Sequence, residues 1–137
     1  MTQIVVLDNE AVQALASPHH PKHQRVLGFV ELVERRKRHA ASIAVLAPTA
    51  VRVEAGWDRS SPQWAFINRL RIADVLLDAV CANMAASIRE RVPVSVADAH
   101  IGATVRSAPD AQITVITSDP EDIRRVAGDR LITVVTI

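Results

Sequence analysis

The sequence predicts an α/β fold built on a parallel sheet, and three observations point there. Apolar runs of strand length recur five times, at residues 4–7, 42–46, 73–77, 113–116 and 131–135. Helical patterns separate them, the order that a parallel sheet with right-handed crossovers requires. The apolar stock is Ala, Val, Leu and Ile, with only 3% aromatic residues, which suits helices packed on a small aliphatic sheet. A chain of 137 residues fits one domain, 1–137, with a full core.

The elements follow in order. Ile4-Val5-Val6-Leu7 is apolar on both faces, as a strand covered by helices on both sides must be, and it ends abruptly in Asp8. A short helix runs from Glu10 to Ala16. Ser17-Pro18-His19-His20-Pro21 is a turn, because two prolines break any helix there. From Lys22 to about Arg38, Val26, Phe29, Val30 and Val33 repeat at three and four, giving an amphipathic helix. SIAVL at 42–46 is the second strand, and Pro48-Thr49 starts a helix that stops near Gly56. Ser60-Ser61-Pro62 opens another, with Trp64, Ile67 and Leu70 on its apolar face. ADVLL at 73–77 reads as the third strand, residues 79–91 as a helix ended by Pro93, and Ser95 to about Ser107 as a helix of small residues. ITVI at 113–116 is the fourth strand. Asp119-Pro120 opens a helix that Gly128 terminates, and LITVV at 131–135 is the fifth strand.

Composition narrows the function. The net charge of +1 gives no global basic signature of nucleic-acid binding. Locally, Arg35, Arg36, Lys37 and Arg38 close the second helix, where cations complement the macrodipole and are also candidates for RNA phosphate contact. No apolar run approaches the roughly 18–20 residues of a membrane span, and none resembles a secretory signal; a cytoplasmic protein is expected. The single Cys81 falls in an apolar helical pattern and reads as a buried structural thiol.

Four carboxylates occupy comparable places. Asp8 follows the first strand, and Asp119 follows the fourth after Thr117-Ser118. Glu54 lies on the helix after the second strand, between Val53 and Ala55 in a largely apolar helix. Asp98 is in the first turn of a helix that runs antiparallel to the strands. All four can meet at the carboxyl edge of the sheet, where parallel α/β folds bind ligands. Taken singly, Asp8, Asp98 and Asp119 also read as helix caps; four capping or surface accidents at one edge, Glu54 included, are a weaker account than a site. Clustered carboxylates repel unless a cation compensates them, and no Lys neighbours any of the four. Oxygen-only donors select hard ions, Mg²⁺ or Mn²⁺, which serve phosphodiester hydrolysis. Asp8 and Asp98 are the expected direct ligands, with Glu54 and Asp119 completing the set directly or through water. His19, His20 and His23 lie around the turn without carboxylate pairing. His100 is turned about 200° from Asp98, so surface or partner-contact roles are expected for the histidines. A phospho-acceptor receiver domain needs a Lys at a strand end, and none is there; no phosphate-binding glycine loop or nucleophilic Cys–His pair occurs.

These motifs together resemble the PIN-domain ribonucleases, in particular the VapC-like toxins of type II toxin–antitoxin pairs. The resemblance rests on the strand ending in Asp8, on Pro48-Thr49-Ala50-Val51-Arg52-Val53-Glu54, on Val96-Ala97-Asp98-Ala99-His100-Ile101-Gly102-Ala103 and on Ile116-Thr117-Ser118-Asp119-Pro120-Glu121-Asp122. It implies a three-layer sandwich around a five-stranded parallel sheet, Mg²⁺-dependent endoribonuclease activity, homodimerisation and inhibition by a cognate antitoxin. By the same resemblance Asp8, Glu54, Asp98 and Asp119 form the metal-binding catalytic cluster, Asp122 assists, and Thr117 or Ser118 orients the carboxylates. Two positions depart from the family pattern. Glu10 stands where a small polar residue is usual, and either tightens metal binding or faces solvent; His100 replaces a commonly apolar residue. The other readings of the same fold are an inactive RNA-binding or assembly module and a metal-dependent DNA nuclease or phosphatase.

Overall fold

The computed structural model describes residues 2–37 and 42–137. Five strands, β1 (Gln3–Leu7), β2 (Ile43–Pro48), β3 (Ile72–Val75), β4 (Gln112–Thr117) and β5 (Thr133–Thr136), form one parallel sheet in the order β3-β2-β1-β4-β5. Among the described residues seven α-helices accompany them: α1 (Asn9–Ala16), α2 (His23–Lys37), α3 (Thr49–Ala55), α4 (Ala65–Asn68), α5 (Ala79–Arg91), α6 (Val96–Arg106) and α7 (Pro120–Ala127). The strand order reverses at β1. Right-handed crossovers then put α1–α4 on one face and α5–α7 on the other, which is the expected three-layer α/β architecture. The reversal also makes the junction of β1 and β4 a topological switch point, where an open parallel sheet leaves a crevice at its carboxyl ends.

Covered on both faces and paired on both edges, β1 buries Val5, Val6 and Leu7. On the far face α6 is buried nearly all round, and its small residues allow this. At Gly102 an added Cβ would stand 2.8 Å from both the Cβ and the carbonyl oxygen of Val126 on α7. Gly102→Ala is therefore expected to destabilise the fold: overpacking against backbone costs roughly 1–3 kcal/mol, against about 1 kcal/mol gained in helix propensity. A lower urea midpoint with unchanged slope is the measurement.

Four sequence expectations shift. β2 continues to Pro48, opposite Val75, so α3 begins at Thr49. The segment after Ser61 is a 3₁₀ turn (Pro62–Trp64) and the single turn of α4; Trp64 and Ile67 are buried as expected. β3 stops at Val75, leaving Leu76 (66% exposed) and Leu77 outside the sheet. β5 starts at Thr133, because Leu131, in an edge segment, is 86% exposed. Apolar identity marks these residues for burial, but nothing among the described residues covers them. Cys81 is half-buried beside the core, and burial, helped by Asp78, pushes its thiol pKa up.

Candidate active site

Each acid is placed by a local rule. Asp8 leaves β1 in extended conformation and caps α1: its Oδ1 accepts from the Ala11 N–H (2.8 Å), and its Oδ2 accepts from the Ser118 N–H across the switch point (3.1 Å). Asp119 follows β4 after Ser118 and caps α7 by accepting from the Asp122 N–H (3.3 Å). Asp98 is itself held by a cap, Ser95 Oγ accepting from its N–H (3.1 Å), while its carboxyl takes no hydrogen bond among the described residues. Glu54 stands on α3, which packs against α6. Capping and clustering are therefore compatible at Asp8 and Asp119.

The electrostatics show that the acids converge. The Asp98 carboxyl is pushed up from 3.8 to about 6, by burial first and then by the charges of Glu54, Asp122, Asp8 and Asp119. Asp8 is buried and also raised, chiefly by that burial; hydrogen bonds from Thr117, Ala11 and Ser118 oppose the rise, and Glu10 adds a small repulsion. Thr117, wholly buried, is thus shared, since its Oγ1 also accepts from the Asp119 N–H (2.9 Å). Ser118 acts through its backbone. Asp122 belongs to the group: burial and its hydrogen bond and charge contact with Asp119 raise its carboxyl, against the nearby Arg125 (3.7 Å).

The donor set suits a divalent ion. The chemistry fits: carboxylate oxygens only, mutual repulsion centred on Asp98, and no cation within salt-bridge distance of Asp8, Glu54, Asp98 or Asp119 among the described residues. Among those residues no three acids stand close enough to share one ion directly. An ion here would take one or two of these carboxylates directly and reach the others through water, a mode open to Mg²⁺.

Several expectations are corrected. Glu54, on a helix of largely apolar sequence, is exposed rather than buried, as is Val53 beside it at 81% exposure. Glu10 neither joins the acids nor faces solvent alone, because it pairs with His20 Nε2 (2.9 Å) and Lys22 Nζ (3.6 Å). His20 therefore does have a carboxylate partner. His23 is buried, its Nδ1–H donating to the Ala14 carbonyl (2.8 Å). His100 is wholly buried, which pushes its imidazole pKa down. Neither His23 nor His100 is a surface residue.

The expected phosphate contacts are not at the crevice. α2 leads into the start of β2, so Arg35 and Arg36 lie at the amino edge of the sheet, where Arg36 lines a cavity with Gln3, Ile43 and Gln112. Strands of five or six residues put that edge roughly 17–20 Å from the carboxyl edge. The connectivity carried this signal: a helix that feeds a parallel strand must end at that strand's beginning. The Lys37 side chain and all of Arg38 lie outside the described residues. Among the described residues, Lys22 pairs with Glu10, two residues from Asp8, and Arg125 pairs with Asp122 (3.7 Å) and Glu121 (2.7 Å).

No protein-family model matches the sequence, and no curated protein matches it. Solved structures do. A chain of FitAB, bound to an IR36 DNA fragment, is 18% identical with a TM-score of 0.56, covering 96% of this chain and 94% of that one. Mycobacterium tuberculosis VapC20, a sarcin-ricin loop cleaving toxin, is 14% identical at TM-score 0.57, with coverages of 93% and 96%. VapBC2 from Rickettsia felis, bound to a fragment of its promoter DNA, is 13% identical at TM-score 0.60, with coverages of 96% and 98%. The chain has the fold of these proteins over nearly its whole length, the PIN-domain fold that its motifs resemble.

Proposed function

We propose that this chain is a Mg²⁺-dependent endoribonuclease, with Mn²⁺ able to substitute, and the toxin of a toxin–antitoxin pair. The observation that carries the reading is the convergence on Asp98 of Glu54, Asp122, Asp8 and Asp119 at the carboxyl edge of the sheet. The shared fold with VapC20, itself a sarcin-ricin loop cleaving toxin, and with FitAB and VapBC2 supports it.

Asp8 and Asp98 would hold the ion, with Glu54 and Asp119 completing the set through water. Such an ion lowers the pKa of its water and neutralises charge on the phosphoryl oxygens. The chain supplies preorganisation. Asp8 is fixed by three donors at the end of the central strand, so it need not reorganise when charge arrives. Thr117 ties Asp8 to the backbone of Asp119, and Asp122 shares hydrogen bonds with Asp119 on one turn of α7. Glu54 and Asp98 come from separate helices on either side of the crevice.

An apolar groove of about 510 Å³, lined by Thr49, Ala50, Val53, Leu77 and Val96, abuts Glu54. Leu76 and Val80 add exposed apolar surface (66% and 74%) in the neighbouring β3–α5 segment. We assign this groove to the antitoxin: an apolar side chain would fill it while a following Arg or Lys reaches the acids. Val96→Glu is expected to weaken capture of the toxin by the product of an adjacent small reading frame at least tenfold, as for an interface anchor worth over 1 kcal/mol; undiminished capture would rule the groove out. Homodimerisation is part of the same proposal and is checked by light scattering.

Substrate class is tested by presenting RNA, DNA of the same sequence and an aryl phosphate to the purified protein with Mg²⁺. Cleavage of RNA alone is expected. Cleavage of DNA alone or of the aryl phosphate alone favours the nuclease or phosphatase alternative, and RNA binding without cleavage favours the inactive module.

A further inference from the structure

His100 is a wholly buried imidazole to which the proposed chemistry gives no task. It lies on α6 two residues after Asp98, turned from the acids into the seam with α3. There its Nδ1 accepts a hydrogen bond from the Ala50 N–H (3.2 Å). Ala50 is the second residue of α3, and N–H groups of a first turn have no partner within their own helix. A side-chain oxygen at the N-cap normally satisfies one of them. Here the N-cap is Pro48, which offers no side-chain acceptor, and no side-chain cap is made. His100 supplies from the neighbouring helix the acceptor that the local sequence of α3 lacks.

Two details show that the contact is specific. Accepting at Nδ1 places the ring proton on Nε2, which is buried and turned to the Leu76 carbonyl; that contact opposes the lowering of the ring's pKa by burial but falls short of full hydrogen-bond geometry. A Leu would fill this place without an unmet polar atom of its own, but it would orphan the Ala50 N–H. The imidazole is therefore justified by the Ala50 contact rather than by packing. The start of α3 is also held from the other side, where the Leu77 N–H donates to Thr49 Oγ1 (3.2 Å). Glu54 lies one turn beyond Ala50 on the same side of α3.

We infer that His100 is a positioning residue: by capping α3 from α6 it locks the helix that carries Glu54 to the helix that carries Asp98, and so sets the spacing of these two carboxylates across the crevice. The inference rests on the metal-site reading above.

The test is Mn²⁺ binding by calorimetry, with amide exchange at Ala50, on the full chain. His100→Leu keeps the side chain apolar and similar in size but has no acceptor; His100→Asn places Oδ1 near the position of Nδ1. His100→Leu is expected to bind Mn²⁺ roughly 10- to 100-fold more weakly, the loss seen when a ligand's outer support is removed, and to lose protection at Ala50. Its kcat on RNA should fall more than its KM rises. His100→Asn should recover both binding and protection, which a purely space-filling role for the imidazole would not produce. Wild-type Mn²⁺ affinity in a folded His100→Leu, or no recovery in a folded His100→Asn, overturns the inference alone. Absence of Mn²⁺ binding by the wild type overturns the metal reading on which it rests.

Discussion

Asp98→Asn is expected to reduce RNA cleavage on the order of 10²–10³-fold, the loss for one preorganised electrostatic contact in an active site, while making the ion-free protein more stable. The two effects have one cause. The Asp98 carboxyl is raised from 3.8 to about 6, by burial and then by Glu54, Asp122, Asp8 and Asp119. The folded state thus binds this proton more tightly than the unfolded chain, and stability falls wherever the folded state holds more protons as pH rises. For the ion-free wild type, stability should decline from about pH 4 to just above pH 6 and then level off. Asp8 and Asp122, shifted in the same direction, add to the slope. Asp98→Asn should flatten it, and Mg²⁺ should restore wild-type stability on the alkaline side. Thermal melts across this range, with and without the ion, are the measurement. A wild type whose stability rises with pH through the window would contradict the cluster.

Asp8→Ala should be the most damaging single change, because it removes a ligand and two structural bonds together. The Ala11 and Ser118 N–H groups lose their acceptor. Losing the helix cap costs about 1 kcal/mol, and leaving the Ser118 N–H unpaired costs about 1 kcal/mol or more, so a loss of about 2 kcal/mol is expected beside the loss of cleavage. Asp8→Asn keeps one oxygen for the cap. It should lose comparable activity at a smaller cost in stability, and urea denaturation of the two variants separates the roles. Equal stability of Asp8→Ala and wild type would mean that the carboxylate does not tie β1 to the start of α7.

The parts of this site that sequence made legible are those fixed by connectivity. Asp8 and Asp119 follow apolar strands directly, and in a parallel sheet every such junction lies at one edge. Asp98 was readable because Ser95 and Pro93 mark a helix start. Chemistry that depends on the third dimension was not. Glu10 looks like one more acid beside Asp8, and only the return of the 17–22 turn along α1 brings His20 and Lys22 to neutralise it. His100 looks like a displaced surface residue until α3 is seen to start without a cap of its own. Leu76, Leu77 and Val53 look like core because apolar identity does not distinguish a residue covered by its own chain from one left open beside a groove. The reverse case is Arg35 and Arg36: their place at the far edge followed from topology, while their charge drew attention to the crevice.

The central claim is that these carboxylates act through a divalent ion on RNA. Its most direct measurement is cleavage of an end-labelled RNA hairpin by purified wild type and Asp98→Asn, in Mg²⁺, after chelation and after Mg²⁺ is returned. The account predicts cleavage by the wild type that chelation abolishes and Mg²⁺ restores, with Asp98→Asn silent or nearly so throughout. Cleavage that survives chelation, or that Asp98→Asn performs as well as the wild type, would contradict it.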